Sequence, residues 1–146
     1  MSKSNAFETS LLGLLFNNSD IAGIGDAGGL QNSATAGSLY VSLHTADPGE
    51  AGDQTTSETA YTNYARMAVA RSGAGWTVSG NSATNAAQIT FPQCGVTGAT
   101  ITYVGIGTDS SGAGTLLYSG ALNSSLAVAL NITPLFAASG LTVTED

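Results

Sequence analysis

Apolar and polar positions alternate in short runs over most of the chain. Leu39, Val41 and Leu43 alternate with Tyr40, Ser42 and His44, and Met67 and Val69 with Arg66, Ala68 and Ala70. Ala87, Ile89 and Phe91 form another such run, closed by Pro92. A period of two is that of a strand with one buried and one open face. Residues 76–79, 100–106, 116–122, 126–132, 135–138 and 141–144 supply further short apolar runs rich in Val, Ile, Leu and Thr, with glycine-rich turns at 73–75 and 108–114 between them. The runs recur about every 8–12 residues, a spacing that favours an all-β sandwich over alternating strands and helices. One stretch departs from this period. Phe7, Leu11, Leu14 and Leu15 recur at helical spacing. Asn5 and Glu8 before them fit a capping box, and Asn17 and Asn18 end the run. A helix of three turns is marginal alone and must dock, on its own sheet or on a neighbouring subunit. Residues 21–37 are rich in Gly, Ala and Ser and read as a surface arm or loop.

The pattern therefore predicts a mainly β fold: a jelly-roll-like antiparallel β-sandwich of about eight strands, with an N-terminal amphipathic helix and a glycine-rich arm. Residues 1–37 read as helix and flexible connector and residues 38–146 as the sandwich, in one structural domain of 146 residues. No internal repeat suggests a solenoid or a propeller.

Composition narrows the function. Only 9% of the residues are charged, and three Lys and Arg against ten Asp and Glu give a net charge of −7. Lys3, Arg66 and Arg71 are too few cations to neutralise a phosphate backbone, so no nucleic-acid partner is expected. The single Cys94 excludes a disulfide framework. No run is long and apolar enough for a membrane-spanning helix, so no membrane partner is expected. Lys3 is followed by Ser4, Asn5 and Glu8 instead of an apolar core, so synthesis in the host cytoplasm without a secretory signal is expected.

Residues suited to catalysis are few. His44 is the only histidine, with Asp47 three positions on, and no Gly-x-Ser-x-Gly elbow accompanies it. A histidine at a strand end reads as a surface or a loop-anchoring residue. One His and one Cys do not make a transition-metal site. Asp47, Glu50 and Asp53 lack the spacing of a calcium loop, so the polar stretch 45–58 reads as a solvated acidic loop. Gly23, Gly25 and Gly28 match Gly-x-Gly-x-x-Gly outside any strand–turn–helix context, where the match carries no nucleotide-binding meaning. Cys94 and Trp76 read as packing residues. No enzyme, cofactor or metal is expected. A surface of small uncharged residues, sheet edges and a sticky helix suits packing against a partner, and the candidate interface residues are Phe7, Leu11, Leu14, Leu15, Ile21 and Ile24.

Three stretches carry a family resemblance: Leu39-Tyr40-Val41-Ser42-Leu43-His44-Thr45-Ala46-Asp47-Pro48-Gly49-Glu50, then Tyr64-Ala65-Arg66, then Gly75-Trp76-Thr77-Val78. The opening from Phe7-Glu8 to Asn17-Asn18 and the ending Leu141-Thr142-Val143-Thr144-Glu145-Asp146 fit the same pattern. The chain resembles the jelly-roll cement, or capsid decoration, proteins of tailed bacteriophages, a family whose members are often named tail fiber proteins. The resemblance implies a structural protein on the outer face of the capsid. There it would bridge neighbouring major capsid proteins without covalent links, with the major capsid protein and copies of itself, as homodimer or homotrimer, for partners. A tail or tail-fibre component is the alternative. A carbohydrate-binding β-sandwich aiding adhesion is a further one, resting on Asp47, Glu50, Asp53 and an exposed Tyr or Trp.

Overall fold

A computed structural model describes residues 2–146. Among these it holds one helix, α1 (Asn5–Asn17), and nine strands. The strands are β1 (Ser38–His44), β2 (Met67–Ala70), β3 (Trp76–Ser79), β4 (Ser82–Asn85), β5 (Ile89–Thr90), β6 (Ala99–Gly107), β7 (Leu116–Val128), β8 (Leu135–Phe136) and β9 (Thr142–Thr144). They form sheets in the orders β2-β1-β6-β7, β3-β4-β9 and β5-β8. The registered pairs β1–β6, β6–β7, β3–β4 and β4–β9 are all antiparallel. The expected mainly β class, with antiparallel sheets and one short N-terminal helix, is the fold of the chain.

The chain compacts as two units. The first comprises the described residues up to Ser38 together with Val69–Gln88 and Phe136–Asp146. The helix and connector of 1–37 are thus not an appendage to a separate 38–146 domain. They share a core with β3, β4 and β9. That core is why α1 forms: Leu12 and Phe16 are fully buried, and the Phe16 ring meets Trp76 edge-on at a centroid distance of 4.7 Å. The buried face of α1 is therefore Glu8, Leu12 and Phe16, not the Phe7–Leu11–Leu14–Leu15 stripe, which lies beside it and stays half-buried to exposed. At about 100° per residue the two stripes are neighbours on one helix, and spacing alone does not say which turns inward. The cap also shifts by one residue. Ser4 is the N-cap, accepting from Phe7 N, so the Asn5–Glu8 capping box is not formed.

The other end of α1 closes as the asparagines suggest. Asn18 adopts the left-handed conformation (φ 53°) and its N–H bonds to Gly13 O. Arg71 then takes up carbonyls that the last turn leaves open, donating to Leu14 O (2.6 Å) and Leu15 O (2.7 Å), and it also donates to Ala36 O (3.1 Å) in the connector. Residues 21–37 are not a free arm. Ile21 and Leu30 exchange two backbone hydrogen bonds of 2.9 Å, Asn32 N bonds Asp20 Oδ1, and Ser33 N bonds Asn18 Oδ1. Polar side chains at the helix end clasp a loop whose glycines left its path open in the sequence.

The second unit is Leu39–Ala68 with Ile89–Leu135. Its frame is β1–β6–β7. β1 is not half-buried as its alternation suggests: from Val41 to His44 every residue is buried. β7 is a single strand where two were expected, at 116–122 and 126–132. Residues 122–125 stand opposite Thr102 alone, between the Tyr103–Ala121 and Ile101–Leu126 pairs, a bulge whose Asn-Ser-Ser sequence imitates a turn.

Candidate functional site: a buried polar clamp and exposed apolar surfaces

In the second unit the outer face of β1 holds Tyr40, Ser42 and His44, opposite Gly107, Gly105 and Tyr103 of β6. Glycine is required at the two central positions. A Cβ on Gly105 would lie 2.6 Å from both His44 Nε2 and Ser42 Oγ, and one on Gly107 would lie 2.2 Å from Gln54 Cδ. Polar side chains lie flat across β6 where its own side chains are missing.

His44 Nδ1 sits 2.9 Å from Thr56 O, an acceptor only, so Nδ1 carries the proton. Nε2 then accepts from Ser42 Oγ at 2.8 Å. His44 is fully buried, so it is the loop anchor and not the surface residue of the two expected, and burial lowers its pKa below the ordinary 6.5 despite the Thr56 hydrogen bond and the nearby Glu58. The Oγ–Nε2 distance is that of a nucleophile and its base, yet neither side chain is open to a substrate, and Asp47 takes no part in the pair. The pair ties loop 45–58 to the sheet.

Arg66 completes the clamp. Its guanidinium meets Glu58 in a two-pronged pair (Nε–Oε1 2.6 Å, second nitrogen to Oε2 2.7 Å) and donates to Asp109 O (2.9 Å) and Gly112 O (2.7 Å). The Glu58 hydrogen bonds raise the Arg66 pKa still further. Tyr64 donates its hydroxyl to Glu58 Oε1 (2.8 Å), and burial raises its pKa. Fully buried Gln54 accepts from Asp109 N (2.9 Å), and its backbone N–H bonds Ala113 O (2.9 Å). Loops 45–58 and 108–114 are thereby held as one body. The acidic loop is folded by its own acids: Asp47 Oδ1 accepts from Gly49 N, and Asp53 Oδ1 from the Thr55 N–H and hydroxyl, which lower the Asp53 pKa. Among the described residues no three His, Cys, Asp or Glu side chains lie where one metal ion could join them. Only the intercalated hydrophobics of β1 betray this cluster in the sequence, because its members come from five separate stretches.

The sequence-derived interface residues all belong to the first unit. Phe7 is exposed (37%), Leu11, Leu14 and Leu15 are half-buried, and Ile24 is exposed at the loop tip. Ile21 is only 6% exposed and serves the core, because its bridge to Leu30 turns it inward. Trp76 is fully buried, so it offers no face to a sugar. Gly28 and Gly29 spend their N–H groups on Asp26 Oδ1, an Asx turn, not a phosphate cradle. The sequence reading missed a second set of exposed apolar side chains in the second unit, Val96, Leu130, Ile132 and Leu135, because the last three fall in apolar runs read as strands and Val96 stands alone among turn residues.

A family model described as podophage GP4 fiber I protein gp80 matches residues 25–144. No curated protein matches the chain.

Proposed function

The chain belongs to the podophage GP4 fiber I protein gp80 family and is a bacteriophage structural protein, and from that premise we propose that it works by docking non-covalently on neighbouring subunits of the virion. The observation that carries this reading is the pairing of exposed apolar side chains with backbone firmly held beneath them, while the one histidine and its hydroxyl partner lie buried. Such a role needs no catalytic step and no cofactor.

The cement-protein resemblance supports a position on the outer capsid face, bridging major capsid proteins. A ligand that binds only the assembled lattice stabilises it by RT ln(1 + [L]/Kd), about 4 kcal/mol at a thousandfold excess over Kd. Repeated over many sites, that resists internal pressure without covalent chemistry. The family description favours a second reading, a fibre component of the tail. Immunogold labelling of virions, followed by a cryo-EM map, separates the two. Label over the capsid supports the first, label confined to fibres or tail transfers the role to the second, and unlabelled particles overturn both.

A further inference from the structure

We infer that the outer edge of β7 around Gly120 pairs with the same edge of a second copy of this chain, through antiparallel main-chain hydrogen bonds. The inference rests on the docking role proposed above and adds the surface and its partner. β7 ends the sheet order β2-β1-β6-β7, with β6 as its one neighbour. Which of its main-chain groups are open follows from β1. Leu43 N donates to Tyr64 Oη (3.1 Å) and Leu43 O accepts from Thr59 N (2.9 Å), so both groups of Leu43 point away from β6. Opposed residues of an antiparallel pair alternate between hydrogen-bonded and non-hydrogen-bonded. Ser42 therefore bonds Gly105, its partner in register. Val104 and Ile106 turn the other way and bond their β7 partners, Gly120 and Tyr118. Ser119 and Ala121 are left with N–H and C=O on the outer edge. Both residues are exposed, and among the described residues nothing bonds those four groups.

Open main-chain groups call for an extended strand, and the make-up of β7 selects its own copy. Sheet edges are normally guarded against such pairing by charge or proline. From Leu116 to Val128 there is neither. The edge thus has nothing to attract a charged strand and no like charge to repel a neutral one, and its own copy is neutral in the same way. The other sheet-edge strands among the described residues, β2, β3, β5, β8 and β9, run four residues or fewer. An antiparallel copy satisfies all four open groups when Ser119 meets Ala121 of the second copy and Ala121 meets its Ser119. These are two hydrogen-bonded pairs about a two-fold axis at Gly120. The axis accounts for that glycine. Its φ is not positive, and a Cβ there would meet nothing within 4 Å, so the single chain has no need of it, while glycine weakens a strand interior. On the axis the two Gly120 residues face each other as a non-hydrogen-bonded pair, about 4.5 Å between Cα atoms, where facing side chains come closest. The bulge at 122–125 ends the ladder, so the contact closes as a pair and does not run on along the strand. So short a ladder is weak in solution and gains strength from repetition in a particle.

Two measurements on the full chain test this. In sedimentation velocity over a concentration series the wild type self-associates reversibly. Ser119→Pro and Ala121→Pro each remove an outward N–H and no bond of the β6–β7 ladder, and each weakens association about tenfold or more. Leu130→Ser, at an exposed apolar residue away from this edge, leaves association unchanged. Amide hydrogen exchange read by NMR on the wild type needs no variant to fold. The Ser119 and Ala121 amides exchange fast where the chain is monomeric and slow about tenfold or more where it associates, while the Gly120 amide is protected in both. A monomer at every concentration, exchange at Ser119 and Ala121 unchanged on association, full association in the folded Pro variants, or association lost in Leu130→Ser overturns the inference. Virion labelling reads the docking role separately: a labelled particle built from a chain monomeric in solution overturns this contact alone.

Discussion

At Gly105 a single hydrogen in place of a methyl group decides whether the polar layer of the second unit can form. His44 Nε2 and Ser42 Oγ occupy the space a Cβ would need. Gly105→Ala is therefore expected to cost about 1–3 kcal/mol, as overpacking of a well-filled site does, read as a lowered urea midpoint. His44 adds a pH dependence. Its folded-state pKa lies below the ordinary 6.5, chiefly through burial. As pH falls past about 6.5 the unfolded chain takes the proton first, so this contribution is fully present above that pH and declines below it. Between about pH 7 and pH 5 the wild type should lose stability more steeply than His44→Gln, and equal slopes would show that His44 is not the titrating group. Neither residue's part is legible in the sequence. A glycine in a strand and a histidine at its end look like weak points when read alone, and only the register that sets Ser42 against Gly105 makes them one packing unit.

Elements were more legible than residues, and the reasons differ by element. The strands around Leu39 and Met67 announce themselves because larger apolar side chains alternate with polar or small ones in the sequence, and the strand from Ala99 because it is rich in β-branched residues. The end of α1 announces itself because Asn tolerates the left-handed φ that stops a helix. The inward face of α1 stayed hidden because Glu8, Leu12 and Phe16 include a carboxylate, and burial of Glu8 breaks the apolar pattern. The stop of α1 also has a distant component. Arg71 donates to carbonyls of its last turn from 56 and 57 residues away in sequence. A cation at a helix C-terminus contributes up to about 2 kcal/mol in partly buried geometry. Arg71→Ala should lower stability by about 1–2 kcal/mol. Arg71→Lys should recover only part of that, since an ammonium lacks the planar fork that spans several carbonyls. Trp76, the only tryptophan, lies in the same unit against Phe16 and gives the fluorescence readout for both variants.

For the whole molecule, the low charged fraction is less informative than where the charges lie. Between Arg71 and Glu145 the only charged residue is Asp109, so half the chain meets its surroundings almost entirely through uncharged groups. The division into two units also changes what truncation does. A chain lacking residues 1–37 would be a folded β-domain if the helix were an arm, but α1 supplies Leu12 and Phe16 to the core around Trp76. The truncated chain is expected to show red-shifted Trp76 emission at neutral pH and no cooperative fluorescence transition in urea. Retention of the native emission would return the helix to the status of an appendage. The clamp has a consequence for inheritance as well as for rigidity. Arg66, Gln54 and His44 grip the two loops by main-chain groups, the carbonyls of Thr56, Asp109 and Gly112 and the N–H of Asp109. Main-chain groups survive almost any change of side chain. Exposed tip positions such as Ala46, Glu50, Ser110 and Ser111 are thus free to drift under selection, or to accept a grafted epitope, while the path of the loops stays fixed.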